Sequence, residues 1–180
     1  MDRPEAERQL LQLLRGQDVA EFTLQISFKE RHSDPAAVGS RGWHLLSSPV
    51  WTVTMSVPQA IGDRTTTSGA SFAQAWQRQG LWWRAPPRPA NTLAGPDYRQ
   101  VMSADSIERA ENQFLDMVRG DAGGEITITV LLKAGQWITN LHVPGTAGRG
   151  ATGEGASFAY AWHHDWPWWQ DAPGDPRTRR

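Results

Sequence analysis

The chain has 180 residues, a net charge of −1, no cysteine and ten tryptophans. Its length suffices for one globular domain, or for two small units that share a core. The near-zero net charge excludes the strong field that would hold a nucleic-acid backbone, and the lack of cysteine excludes disulfides, thiolate metal sites and cysteine nucleophiles.

The N-terminal segment, MDRPEAERQL, is charged and lacks the apolar run of a signal peptide. No run in the sequence approaches the roughly 18 apolar residues of a membrane span. We therefore expect a cytoplasmic protein with no membrane partner. The first element in chain order is a helix, because Leu10, Leu13 and Leu14 follow helical spacing and Gly16 provides a stop.

Much of the sequence occurs twice. Residues 51–76 align without a gap to residues 137–162, with 12 identities in 26 positions. Upstream, residues 6–26 match residues 110–130 at an offset of 104 rather than 86, so the first copy carries 18 additional residues between the matched segments. Similarity at a regular spacing predicts a tandem duplication.

This duplication suggests a division of the chain into repeats and connections. We predict a first repeat at 1–90 with an insertion at 29–49, a Pro-rich linker at 91–103, a second repeat at 104–170, and a disordered tail at 171–180. Insertions of that length inside a compact domain are usually functional or disordered.

In the second repeat, apolar spacing predicts a helix over about 105–119, with Asp105 and Glu108 as a capping box and Gly120 as its stop. The apolar residues that form one face of this predicted helix run from Ile107 to Val118. A hairpin follows, because two segments that alternate with period two flank a short Ala-Gly connection at 134–135.

The hairpin register segregates apolar from polar side chains. Leu132 is predicted to face Trp137, and the same register continues down to Ile126 and Val143. By the repeat, the first copy pairs Phe28 with Trp51 and continues to Phe22 and Val57. Leu131 and Ile138 lie opposite each other on the otherwise polar side, which makes them candidate binding residues.

Each copy is therefore predicted as helix, strand, strand, helix. Ser71 and Ser157 open the second helix of their copies, and the Phe and Trp at positions i and i+4 behind them belong to the core. A two-stranded hairpin is marginal alone, so the copies should combine. We predict an α+β fold with one antiparallel sheet, helices on one face, and pseudo-two-fold symmetry.

The stretch GRGATG at 148–153 has the spacing of a phosphate-binding loop. The corresponding loop of the first copy lacks it, and too little chain follows for a dinucleotide-binding fold. A flexible connection is the favoured interpretation. The alternative is an anion site, whose candidate residues are Gly148, Arg149, Gly150 and Gly153.

His163 and His164 are consecutive, whereas metal ligands on one helix need a spacing of three or four. We therefore expect no metal and no cofactor. No arrangement of serine, histidine and acid has a recognisable local signature, so no catalytic residue is predicted.

Two tryptophan pairs follow the second helices, and adjacent side chains there cannot easily both point inward. They either cover the seam between the copies or the end of the core, or form an aromatic binding platform, since Trp and Arg dominate binding hot spots. The candidate binding residues are Trp43, Trp82, Trp83, Arg84, Leu131, Ile138, His163, His164, Trp166, Trp168 and Trp169.

The sequence is compatible with two functions. The favoured one is a non-catalytic cytoplasmic protein-binding module, for instance an immunity or antitoxin-like inhibitor, with a protein as partner. The alternative is a small-molecule-binding protein or enzyme with a pocket at the seam between the repeats.

Overall fold

A computed structural model describes residues 2–16, 19, 21–29, 50–58, 64–80, 82, 102–120, 125–144 and 151–164, except for the side chains of 151 and 164. In chain order the elements are α1 (Arg3–Leu14), β1 (Phe22–Lys29), β2 (Val50–Ser56), β3 (Arg64–Gly69), α2 (Phe72–Gln79), α3 (Ala104–Arg119), β4 (Ile126–Lys133), β5 (Gln136–His142), β6 (Ala151–Gly155) and α4 (Phe158–His164).

The strands form one six-stranded antiparallel sheet in the order β3-β2-β1-β4-β5-β6. An α+β fold with a single antiparallel sheet is thus confirmed. The predicted registers are also confirmed, because Phe28 pairs with Trp51 and Leu132 pairs with Trp137. The two hairpins join through β1 and β4 at the centre of the sheet.

The helix boundaries follow local capping. Ser71 caps α2 by accepting a hydrogen bond from the Gln74 amide, as predicted, and the Ser157 hydroxyl accepts one from the Tyr160 amide at the start of α4. The predicted cap of α3 is wrong. Ser103, rather than Asp105, accepts from the Ser106 amide and begins that helix.

Gly120 ends α3 in the left-handed region at φ 85°, which confirms the predicted stop. Ile107, which the sequence places on the buried stripe of α3, is instead exposed. It lies in the first turn of the helix, whereas the buried residues of α3 begin at Ala110.

Each hairpin carries a third strand that the sequence did not predict. β3 pairs with β2 and β6 pairs with β5, so the prediction of helix, strand, strand, helix is corrected to three strands per hairpin unit. The second half of GRGATG lies in β6, where Gly153 pairs with Thr139. For residues 151–153 the favoured flexible connection is therefore wrong.

One face of the sheet and all four described helices form a single hydrophobic cluster. Its largest fully buried side chains include Trp76, Phe22 and Phe114. The first and third helices approach the sheet closely at their ends: a Cβ built on Gly16 would lie 3.5 Å from Trp137, and one on Gly120 would lie 3.5 Å from Trp51. Among the described helices, none is long and apolar enough to cross a membrane.

Candidate functional site

The opposite face of the sheet carries no helix within the described part of the chain. Polar, uncharged side chains cross all six strands in its middle row, which is made of Thr66, Thr54, Gln25, Thr129, Asn140 and Thr152. We call this surface the open face. Hydroxyl and amide groups form hydrogen bonds across its outer strands. The hydroxyl oxygens of Thr54 and Thr66 are 3.0 Å apart, and Asn140 Nδ2 donates to Thr152 Oγ1 at 3.1 Å.

The row on one side of the middle is made of Ser68, Thr52, Ser27, Thr127 and His142. The row on the other side is made of Arg64, Ser56, Thr23, Leu131, Ile138 and Glu154. The second of these rows is distinctive, because two adjacent apolar residues lie next to Glu154 at one end and Arg64 stands at the other end.

Leu131 and Ile138 pair directly across β4 and β5, and both are half-buried. Their predicted opposition is confirmed. We call these two side chains the apolar pair. Glu154 lies beside Ile138 on β6, and its Oε2 accepts a hydrogen bond from Gln136 Nε2 at 3.1 Å. Lys133 lies two residues beyond Leu131 on the same face of β4 and is exposed.

A shallow depression lies elsewhere on the open face. Its lining consists of Ser27 and Lys29 from β1 and Val50 and Thr52 from β2. The depression lies beside the end of the first hairpin, and one of its lining residues, Ser27 of β1, pairs with Thr127 of β4. Its walls offer one ammonium group and two hydroxyls, which is a sparse set of groups for orienting a small ligand.

Two reciprocal ion pairs join α1 and α3 on the helical side. Arg15 Nη2 lies 2.7 Å from Glu111 Oε2, and Arg119 Nη2 lies 2.7 Å from Glu7 Oε2. In both pairs the arginine Nε also binds the second carboxylate oxygen. The hydrogen bond from Arg119 holds the pKa of Glu7 below its ordinary value, against the opposing effect of burial. The Glu111 carboxylate raises the pKa of Arg15. These paired charges connect the helices.

Many predicted site residues lie outside the described residues. These are Trp43, Trp83, Arg84, Gly148, Arg149, Gly150, Trp166, Trp168 and Trp169, together with most of the insertion, the linker and the tail. Their roles stay predictions.

The described candidates are spread over different parts of the molecule. Trp82 is half-buried, packs against the core, and donates from Nε1 to Gln79 Oε1 at 3.4 Å. His163 is exposed near the end of α4, where His164 is the last residue, and Gly153 is buried in β6. The candidates that the structure brings together are Leu131 and Ile138.

The sequence analysis missed Glu154 and Lys133 as neighbours of the apolar pair. Lys133 could have been found from the hairpin register, since it follows Leu131 at a spacing of two. Glu154 could not, because its position depends on β6, a strand without an apolar pattern.

Among the described residues, no group of three or more acidic, histidine or cysteine side chains is arranged to hold a metal ion. No protein-family model matches the chain, and neither a curated protein nor a solved structure matches it. The function must therefore be argued from the surface itself.

Proposed function

We propose that this protein is a non-catalytic protein-binding module that binds its partner with the open face of the sheet. The observation that carries this proposal is the apolar pair formed by Leu131 and Ile138 on a face that is otherwise built from hydroxyl and amide groups. Apolar side chains that are surrounded by polar groups can anchor a protein interface, because the surrounding contacts exclude water from them.

The proposal includes a tandem duplication with pseudo-two-fold symmetry. The register between the central strands supports it, because Gln25 pairs with Thr129, its counterpart at the offset of 104. Residues equally far before and after this pair are related in the same way. Phe22 pairs with Leu132, and Leu132 is the counterpart of Phe28 at the same offset. A two-fold axis through the Gln25–Thr129 pair relates one three-stranded unit to the other.

The ion pairs between the helices support the same symmetry. Arg15 corresponds to Arg119, and Glu7 corresponds to Glu111, at the offset of 104. Each arginine binds the glutamate of the other unit. This reciprocity requires α1 and α3 to run in opposite directions, as a two-fold axis demands.

Under this symmetry the apolar pair marks a difference between the two units. The counterpart of Leu131 is Ser27, at the offset of 104, and the counterpart of Ile138 is Thr52, at the offset of 86. Both counterparts lie on the open face and keep it polar. A duplicated scaffold does not need this exchange of hydroxyl for apolar side chains, so we assign it to binding.

In its finer form, the proposal describes a cytoplasmic inhibitor of the immunity or antitoxin type, which acts by covering a partner protein. The cysteine-free composition supports the location, and binding without catalytic groups suits this mode of action. The alternative of a small-molecule site at the seam gains no support from the shallow depression, because its lining offers only one ammonium group and two hydroxyls.

The test compares three tagged proteins in pull-downs from native extract. The first is the wild type. The second carries Leu131→Ser and Ile138→Thr, which restore the residue types of the first unit. The third carries Thr54→Ser and Thr66→Ser as a matched change on β2 and β3, away from the apolar pair. We expect one captured protein to be retained by the wild type and the control, and lost with the first pair of substitutions. Identical captures by all three proteins would contradict the proposal.

A further inference from the structure

Opposite charges flank the apolar pair in two directions at right angles. Lys133 lies one two-residue step from Leu131 along β4, and Glu154 lies one strand from Ile138 across the sheet. With strand spacings of about 4.8 Å and a two-residue step of about 6.7 Å, both charged residues lie roughly 7 Å from the midpoint of the pair. We call Leu131, Ile138, Lys133 and Glu154 the patch. A diagonal line midway between the two directions divides the patch into nearly symmetric halves, with Lys133 on one side of the line and Glu154 on the other.

We propose that the open face binds a second copy of this chain, through a two-fold axis that runs along this diagonal and centres on the apolar pair. This inference rests on the proposed function and makes the bound protein a second copy of the chain, in place of the separate target of an immunity-type inhibitor. Such an axis lays Leu131 and Ile138 of one copy over the same residues of the other. It also brings Lys133 of each copy to Glu154 of its partner.

The charges distinguish this arrangement from other ways of stacking two sheets. An axis across the strands through the apolar pair would oppose Glu154 to itself, and like charges in contact are unfavourable. An axis parallel to the strands would leave both charges opposite uncharged polar groups. The diagonal axis crosses the strands of the two copies at close to a right angle, which is one of the two common modes of sheet packing.

The charged groups are available for this contact. Lys133 is exposed and forms no ion pair within the described part of the chain, and Glu154 is exposed with one hydrogen bond to Gln136. From the strand spacings, two crossed faces overlap over about 20 Å by 20 Å. This area is small for a specific protein interface. We therefore expect a weak dimer that assembles in the micromolar range.

Sedimentation velocity across roughly 10 to 500 µM protein tests this inference, since that range brackets the expected dissociation constant. We expect the wild type to pass from monomer to dimer. The combined Leu131→Ser and Ile138→Thr change should weaken the dimer at least about tenfold, as should Lys133→Glu or Glu154→Lys alone. The combination of both charge reversals should restore it.

Lys29→Glu is the matched control, because Lys29 is the counterpart of Lys133 on the open face and lies outside the patch. It should leave the dimer unchanged. Circular dichroism identifies any variant that fails to fold. If a single variant fails to fold, the double variant with both charges reversed still tests whether the two charges meet in the dimer. A wild type that stays monomeric throughout, or paired reversals that do not restore a lost dimer, would overturn the inference.

The outcome also separates this inference from the proposed function. A monomeric wild type that captures another protein through Leu131 and Ile138 overturns the dimer and supports protein binding. A monomeric wild type whose captures ignore these residues overturns both.

Discussion

Arg15, just beyond the last turn of α1, forms a bidentate ion pair with Glu111 in the middle of α3. The carboxylate is largely buried, with 8% of its side chain exposed, whereas half of the arginine side chain is exposed. Parallel N–H···O bonds fix the relative position of the two helices more firmly than a single contact. The pair joins the two structural units on the helical side, as β1 and β4 join them in the sheet.

This pair should contribute measurably to stability. We expect a double-mutant cycle of Arg15→Ala and Glu111→Ala to give a coupling energy of about 1 kcal/mol, at the upper end for partly exposed pairs because of the bidentate geometry. Urea unfolding of the four proteins measures it. A coupling near zero would show that the pair has no energetic role.

Stability should fall in acid through Glu7, whose folded-state pKa is depressed by Arg119. A depressed pKa stabilises the protein above the unfolded value of about 4.5, and that stabilisation is lost as the pH drops through the folded value. We expect Glu7→Gln to reduce the free energy of unfolding at pH 6 more than at pH 3. Urea unfolding at both values checks this. Equal losses at the two pH values would contradict this role of Arg119.

Gln9 and Gln113, which correspond at the offset of 104, offer an internal comparison. Gln9 Oε1 accepts a hydrogen bond from Trp76 Nε1 at 3.2 Å. The corresponding atoms of the other unit, Gln113 Oε1 and Trp162 Nε1, are buried without a partner in the described structure. We expect Gln9→Leu to cost about 1 to 3 kcal/mol, because it removes a buried acceptor that is in use. Gln113→Leu should cost less or stabilise the protein.

Thermal and urea unfolding of the two leucine variants check this difference. Equal costs would mean that Gln113 and Trp162 bond to each other in solution, and the prediction would then be wrong.

The hairpins and the core were predictable from sequence because burial there is strictly one-sided. Phe22, Leu24 and Ile26 alternate with half-buried polar residues, and a shift of one residue would invert both faces. The same alternation occurs a second time in β4. The registers at the centre of the sheet were therefore determined by the sequence pattern.

The edge strands were not predictable, because their inward positions are not apolar. In β3, Thr67 faces α2, and its hydroxyl donates to the carbonyl of Ala75 at 2.7 Å. In β6 the matching residue is Gly153, which pairs with the buried Thr139. An inward-facing threonine can be accommodated when a helix carbonyl accepts its hydroxyl hydrogen, and an inward-facing glycine has no side chain. Neither residue adds an apolar position to the sequence pattern from which strands are predicted. Glu154 was missed as a neighbour of Ile138 for this reason.

Glycine at position 69 is required by the close approach of α2 to the end of β3. A Cβ there would lie 2.7 Å from the amide nitrogen of Ala75, a backbone atom that cannot move cheaply. We expect Gly69→Ala to destabilise the protein by about 1 to 3 kcal/mol, as overpacking does. At Gly155 the closest atom is a Tyr160 ring carbon at 2.5 Å, which can rotate away, so Gly155→Ala should cost less. Chemical denaturation ranks the two, and the reverse order would contradict this explanation.

Trp82 and Trp76 should respond differently to truncation. Trp76 is 1% exposed and stacks near Phe72 with ring centroids 5.5 Å apart, so Trp76→Ala should cost about 3 to 5 kcal/mol. Trp82 is half-buried at the edge of the core, and Trp82→Ala should cost clearly less. Trp82 packs against the core cluster on the helical side of the sheet, so the same variant should remain folded and keep a partner that the open face captures. Denaturant unfolding paired with a pull-down separates these effects. A cost equal to that of Trp76→Ala would make Trp82 a structural residue, and loss of the partner from a folded variant would place it on the binding surface.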